Sequence, residues 1–356
     1  MQKVFAIGAK DHKGHLELLE IERRPVGAND VQIKVKYCGM CHSDLHHCKA
    51  EWGNCPLPSV PGHEVIGHVQ AVGPNVTKFK VGDAVGVGCF VNSCRECPEC
   101  KDELIQYCAK GVTGTYGSPQ SDGTSHTKGG YSQGIVVDQN YVLKIPGNLD
   151  LAAAAPLLCA GITLWSPIRH YGVKAGDKVA VLGLGGLGHM GVKFAAALGC
   201  EVTVLSRSAS KNDEAFKLGA KKVLITTNEN AFKAANRSFD YILDTVSAKH
   251  DLGAYLTLLK TDGTLVIVGG VPEPLELRTF SLIPRRLKIG GSLVGGIKET
   301  QEMLDFCGEK NITADIELVP ASYANKAWER MLKSDVKFRF VLDIEKTLSK
   351  DTVVDA

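Results

Sequence analysis

Lys178-Val179-Ala180-Val181-Leu182-Gly183-Leu184-Gly185-Gly186-Leu187-Gly188 passes from an apolar run into a glycine-rich turn, and a helical pattern follows over 188–198. A short apolar run bounded by glycine reads as a strand buried on both faces. Gly183, Gly185 and Gly188 make the pattern G-x-G-x-x-G. Alone that motif is weak, but a strand before it and a helix after it are the context it requires. The glycines of Gly183-Leu184-Gly185-Gly186-Leu187-Gly188 lack Cβ atoms and let the backbone approach a pyrophosphate at the helix N-terminus. The competing reading is a glycine turn with no ligand.

Downstream the texture repeats. Strands are expected over 178–182, 201–205, 222–225, 239–244, 264–269 and 288–293, with helical patterns over 188–198, 211–218 and 252–259. Six strands with helices between them describe an α/β, doubly wound parallel sheet. The second strand bears on the cofactor. An NAD site normally ends it with Asp or Glu, which holds the ribose 2′-hydroxyl. Here it ends in Ser206-Arg207-Ser208, with Lys211 following. A carboxylate would repel a 2′-phosphate, whereas hydroxyls and cations bind one through charge-assisted hydrogen bonds. NADP(H) is therefore inferred over NAD(H). The bland alternative makes Arg207 and Lys211 solvated charges.

Upstream, Val31-Gln32-Ile33-Lys34-Val35-Lys36-Tyr37 alternates strictly and reads as a half-buried strand. Further strands are expected over 64–72 and 81–87, punctuated by Gly and Pro. No stretch before about residue 150 shows strong helical periodicity. The first part is read as mainly β, a small, partly closed barrel. It carries the sharpest motif in the chain, Cys94, Cys97, Cys100 and Cys108, as C-x2-C-x2-C-x7-C. Four thiolates at this density suit a closed structural zinc. The surrounding Asn92, Ser93, Pro98, Lys101 and Asp102 could not fold such a lobe on hydrophobicity, so the metal would staple it. An iron–sulfur site is the rival, but the ferredoxin spacing is not matched.

Cys41, His63 and Cys159 form a second set. Two thiolates and one imidazole leave one corner of a zinc tetrahedron open, the mark of a catalytic ion. With 12 Cys and 11 His some trio can always be picked. The weight comes from the glycine turn and the four-cysteine lobe. The bland readings are buried apolar thiols for Cys38, Cys41 and Cys48 and surface polarity for His46 and His47.

At 356 residues the chain predicts about two domains of ~150 residues. A net charge of +2 gives no basic field for nucleic acid. No secretory signal or run of ~18 apolar residues is visible, so no membrane partner and a cytoplasmic location are expected. Twelve cysteines in such a chain point to metal binding in a reducing compartment.

In this order the pieces resemble the zinc-dependent medium-chain alcohol dehydrogenases, in the branch of the cinnamyl alcohol dehydrogenases and microbial NADP-dependent aldehyde reductases. The resemblance rests on Gly39-Met40-Cys41-His42-Ser43-Asp44-Leu45-His46, Pro61-Gly62-His63-Glu64, the four-cysteine run, Cys159-Ala160-Gly161-Ile162-Thr163 and the glycine turn. It implies a GroES-like β-barrel catalytic domain over 1–157, with a structural zinc lobe near 90–110. A Rossmann domain over 158–295 follows, and 296–356 returns to the barrel.

It further implies two zinc ions per subunit and an oxidoreductase interconverting primary alcohols and aldehydes. Cys41, His63 and Cys159 would ligate the catalytic zinc, and Glu64 could enter its coordination sphere. Ser43 and His46 would relay the proton, and Asp44 would orient His63. Thr163, Thr245, Gly269, Ser292, Leu293 and Val294 would line the NADP site with the glycine turn and Ser206 to Lys211. Trp52 would wall the substrate pocket, or else belong to the core. The loop Gly111 to Tyr116 lacks the Trp found in the plant enzymes. A homodimer paired through the 288–293 sheet edge is expected. The alternatives are a non-catalytic zinc and nucleotide scaffold of the same fold, a nucleic-acid-binding zinc ribbon and a zinc hydrolase.

Overall fold

The computed structural model describes residues 2–120 and 123–355. The chain divides into two compact units. One holds the residues up to Cys159 together with those from Gly296 onward, and the other holds Ala160–Gly295.

The second unit is built on six parallel strands in the order Lys222–Ile225, Glu201–Ser206, Lys178–Leu182, Phe239–Asp244, Leu259–Ile267, Lys288–Gly291. In chain order this is 3-2-1-4-5-6, which reverses direction beside Lys178–Leu182. That reversal opens a crevice at the strand C-termini where dinucleotides bind. Val179, Ala180 and Val181 are wholly buried, as an apolar run between two helical layers requires. The strand expected over 264–269 begins five residues earlier, at Leu259, and the one expected over 288–293 stops at Gly291.

The first unit is mainly β. Its large sheet runs Ile316–Pro320, Arg339–Asp343, Asp30–Gly39, Val65–Val72, Ala84–Val87, Leu143–Lys144, with Gly134–Asp138 also pairing Asp30–Gly39. Val31, Ile33 and Val35 are buried, following the alternation in the sequence. Arg339–Asp343 pairs antiparallel with the end of Asp30–Gly39 and so brings the C-terminal segment into this sheet.

Helix appears where the periodicity gave no sign of it: His42–Cys48 forms seven residues of α-helix with Leu45 and Cys48 buried. Cys41 is thus the N-cap of a helix. Among the described residues no single helix is long and apolar enough to cross a membrane.

Candidate metal and cofactor sites

Three short segments of the first unit converge. Asp44, third in the helix, turns back so that Oδ2 accepts the Cys41 N–H at 2.9 Å, the side-chain half of a capping box. Its Oδ1 accepts from His63 Nδ1 at 3.0 Å and from the Gly62 N–H at 3.1 Å. The Tyr131 hydroxyl donates to Oδ2 at 3.1 Å. One buried carboxylate therefore fixes the Cys41 loop and the His63 loop together. Its bond to Nδ1 selects the tautomer and leaves Nε2 as the nitrogen able to ligate a metal. Cys159 comes from a third direction, directly after the 3₁₀ turn Ala155–Leu158.

Ligand atoms of Cys41, His63, Glu64 and Cys159 all lie within 4.8 Å of one another. Two sulfurs, a nitrogen and a carboxylate oxygen in that space fit zinc. Glu64 Oε2 is buried without a hydrogen-bond partner, an acceptor left for a cation. The close approach needs a glycine: a Cβ at Gly39 would lie 1.9 Å from Glu64 Oε2. Electrostatics suit a cation too. The Cys41 thiol is held well below its ordinary value, first by a hydrogen bond from Cys159 and then by the charges of Arg339 and His63, against burial. Burial pushes the Glu64 carboxyl up to about 7, although Arg339 opposes it.

Sequence reasoning missed Tyr131 and four further residues here. Arg339 is buried and donates from Nη2 to Glu64 Oε1 at 2.5 Å. Glu51 binds His46 Nδ1. Cys89 is a further sulfur beside Cys159. Tyr116 places its ring 5.6 Å from that of His63. Only Glu51 left a local signal, an acid five residues beyond a histidine.

The Ser43 hydroxyl donates to Cys41 Sγ at 3.1 Å. Trp52 is 60% exposed, which removes the core reading, and its ring stacks on His46 at 5.0 Å. The four cysteines of the lobe close up as pairs. Cys94 and Cys100 sulfurs are 3.9 Å apart, and Cys97 and Cys108 sulfurs 4.0 Å. These distances exclude disulfides and approach the edge of a tetrahedron with ~2.3 Å zinc–sulfur bonds.

In the second unit Gly183 has φ +90°, and a Cβ at Gly188 would lie 2.0 Å from Gly183 O. A Cβ at Gly185 would instead meet nothing within 4 Å, so that glycine faces the open space a phosphate needs. Thr245 Oγ1 donates to Leu182 O at 2.8 Å and pins the turn from the neighbouring strand. Lys211 reaches back to donate to Leu184 O at 3.1 Å, which sets a cation over the glycine turn. Ser206 Oγ donates to Ser208 O at 2.8 Å, and the Ser208 and Ser210 hydroxyls bond at 2.8 Å. Arg207 is exposed beside them.

The remaining expected positions are placed less tightly. Thr163 is buried in the helix Ala160–His170. A Cβ at Gly269 would strike Val246 O at 2.4 Å. The Ser292 N–H donates to Ile267 O at 3.3 Å, Leu293 is half exposed and Val294 has φ +47°.

Residues 27–147 match the alcohol dehydrogenase GroES-like domain, and 186–309 match the zinc-binding dehydrogenase domain. The chain is 54% identical over 344 residues to NADP-dependent alcohol dehydrogenase C 1 of Mycolicibacterium smegmatis, covering 96% of this chain and 98% of that one. Among solved structures it is similar to a cinnamyl alcohol dehydrogenase of Sorghum bicolor, with TM-score 0.95 and 46% identity over 99% of this chain and 100% of that one. It is also similar to the cinnamyl alcohol dehydrogenase of Helicobacter pylori complexed with NADP(H), with TM-score 0.90 and 42% identity over 97% and 99% of the two chains.

Proposed function

We propose that this chain, which belongs to the zinc-binding alcohol dehydrogenase family with its GroES-like domain, interconverts primary alcohols and aldehydes with NADP(H). The carrying observation is the Cys41–His63–Glu64–Cys159 cluster in one unit of a chain whose other unit presents a glycine turn and the Ser206–Lys211 loop. Aromatic, allylic (cinnamyl-type) and medium-chain substrates are the proposed class. Trp52, exposed and stacked on His46, is proposed to wall the substrate pocket.

Cys41, His63 and Cys159 would hold the catalytic zinc, with Glu64 entering as the alternative ligand. Cys94, Cys97, Cys100 and Cys108 would hold the structural ion. When bound, the catalytic zinc supplies a Lewis acid that polarises the substrate oxygen, and reduced NADP supplies the hydride. Asp44 keeps His63 in the ligating tautomer. Arg339 holds Glu64 by one oxygen and leaves the other free. The Ser43 hydroxyl, beside Cys41 Sγ, gives its proton to the product oxygen. His46, oriented by Glu51 and the Trp52 ring, replaces that proton from solvent. On the cofactor side the glycine turn takes the pyrophosphate. Ser206, Arg207, Ser208 and Lys211 take the 2′-phosphate, and Thr163, Thr245, Gly269 and Ser292 to Val294 line the remainder.

A homodimer is proposed through the sheet edge at Lys288–Gly291, where Phe280, Ile283 and Leu293 are exposed. A cytoplasmic location is proposed as well.

The test is NADPH oxidation, followed by absorbance, with cinnamaldehyde, benzaldehyde and hexanal. Turnover that chelator abolishes and zinc restores is expected. A fully metal-loaded protein that binds NADPH yet turns over none of these would favour the non-catalytic scaffold.

A further inference from the structure

Tyr131 is wholly buried and lies far in sequence from every candidate metal ligand. Its hydroxyl nevertheless donates to Asp44 Oδ2 at 3.1 Å. The four donors to Asp44 differ in kind. Those of Cys41 and Gly62 are backbone N–H groups, and that of His63 is a candidate ligand itself. The Tyr131 hydroxyl is the one that substitution removes without touching the backbone or a ligand. Burial and then the Asp44 charge push its phenol well above the ordinary value, so it stays a neutral donor.

The backbone that carries this hydroxyl is fixed on two sides. The Gly129 N–H donates to Val60 O at 2.7 Å, the Gly130 N–H to Gly62 O at 2.8 Å and the Tyr131 N–H to Pro61 O at 3.0 Å. Residues 129–131 are thus laid along the residues that lead into His63. Glycine permits the approach: a Cβ at Gly62, where φ is +102°, would lie 2.5 Å from Tyr131 Cδ1. From the other side the buried Arg23 guanidinium donates to Lys128 O at 2.6 Å, Gly129 O at 2.7 Å and Ser132 Oγ at 2.6 Å. Asp44, by contrast, stands on a helix of seven residues.

The Tyr131–Asp44 bond bears on a metal in two opposed ways. Without the hydroxyl, Asp44 would accept more strongly from His63 Nδ1 and make that ring a better ligand. It would also lose a fixed point, and the Cys41 and His63 loops would lose their common reference. The ligand atoms come from three separate segments, so their placement before binding counts for more than ring basicity.

We propose that Tyr131 is a positioning residue for the catalytic metal, its hydroxyl holding Asp44, and through Asp44 the Cys41 and His63 loops, in the arrangement that retains zinc. This rests on the assignment of Cys41, His63, Glu64 and Cys159 as the catalytic zinc site.

The test compares the native protein with Tyr131→Phe, which keeps the ring and removes only the hydroxyl. Both are loaded with zinc, which is then withdrawn by graded concentrations of a colorimetric chelator. Cys100→Ser, which opens the lobe, shows which release belongs to which site. Affinity at the catalytic site is expected to fall about three- to tenfold in Tyr131→Phe, less than the ~10–100-fold typical for direct partners of a ligand. The ion of the Cys94–Cys108 lobe is expected to leave at an unchanged chelator concentration, which a general loss of stability would not allow. With cobalt in the catalytic site, the d–d absorption bands are expected to shift, a signature of ligand placement. Asp44→Ala and its combination with Tyr131→Phe complete a cycle. Acting through Asp44, the loss of the hydroxyl is expected to add nothing to Asp44→Ala. Native affinity or unshifted bands in Tyr131→Phe overturn the proposal, as do tighter binding, an equal loss at the lobe or a full additional loss in the combined variant. If the native protein takes up zinc at the lobe alone, the catalytic-site assignment fails and the proposal falls with it. Zinc held at the catalytic site equally by both proteins leaves that assignment standing and removes the proposal alone.

Discussion

Arg339 and Glu64, 275 positions apart in sequence, meet at 2.5 Å with both side chains buried. Arg339 is carried there by the C-terminal strand Arg339–Asp343, and it also feels the charges of Cys41 and Cys159. It is the cation that lets a carboxylate and two sulfurs share one buried space before any metal arrives. Removing one partner of a buried pair typically costs about 3–5 kcal/mol, because the other is left uncompensated. Arg339→Ala is expected to lose stability in that range by urea unfolding. Combining Arg339→Met with Glu64→Gln is expected to cost less than Arg339→Ala alone.

Ser43 is predicted to matter to the reaction and little to the metal. Ser43→Ala is expected to lower kcat by the ~10²–10⁴-fold typical of a lost proton relay. Its zinc content, measured by elemental analysis, is expected to remain that of the native protein. Near-native turnover would take Ser43 out of the mechanism.

Arg207→Asp sets a carboxylate where the dianion is assigned. It is expected to raise the Kd for NADPH at least tenfold and leave that for NADH little changed, both read by fluorescence titration. An unchanged preference between the two would refute the assignment of this loop.

Cys100→Ser opens the four-sulfur lobe. Bound zinc is expected to fall from about two equivalents to about one, with a lower Tm. Whatever folds is expected to keep its single-turnover hydride-transfer rate, since Cys100 belongs to the lobe cluster alone.

Asp30 carries a pH dependence. Burial alone would push its carboxyl up, but the hydrogen bonds from Arg24 and the Gly27 N–H and the Arg24 charge outweigh it and hold it below the usual range. A depressed carboxylate contributes stability that is complete above its unfolded pKa, near 3.9, and is lost as pH falls through the lower folded value. Arg24 is 45% exposed, so solvent screening limits the contribution to about 1 kcal/mol. Asp30→Asn is expected to be less stable by about that amount at pH 7, with the difference vanishing under strong acid.

Local pattern carried much of this molecule. The apolar run 178–182 and its glycines specify strand, turn and helix within eleven residues, and the cysteine spacing at 94–108 specifies a closed lobe. The helix His42–Cys48 escaped because it spans under two turns, with only Leu45 and Cys48 as buried apolar positions, too few for a period to show. Arg339 and Tyr131 escaped for a different reason. Each reaches its partner across 275 and 87 positions respectively, and nothing in either neighbourhood names that partner. Trp52 could be read from sequence as either wall or core, because a lone aromatic in a loop carries no directional information.

Asp44 receives four hydrogen bonds from four different residues: Cys41, Gly62, His63 and Tyr131. The socket is thereby shaped by the polypeptide before its occupant comes. An emptied socket of this kind keeps its outline, so cobalt can stand in for zinc and report the chamber by its colour. The lobe is tied instead through its own sulfurs, with the Cys97 N–H on Cys94 Sγ at 3.4 Å and the Cys94 N–H on Cys108 Sγ at 3.5 Å, so removing its metal is expected to loosen it.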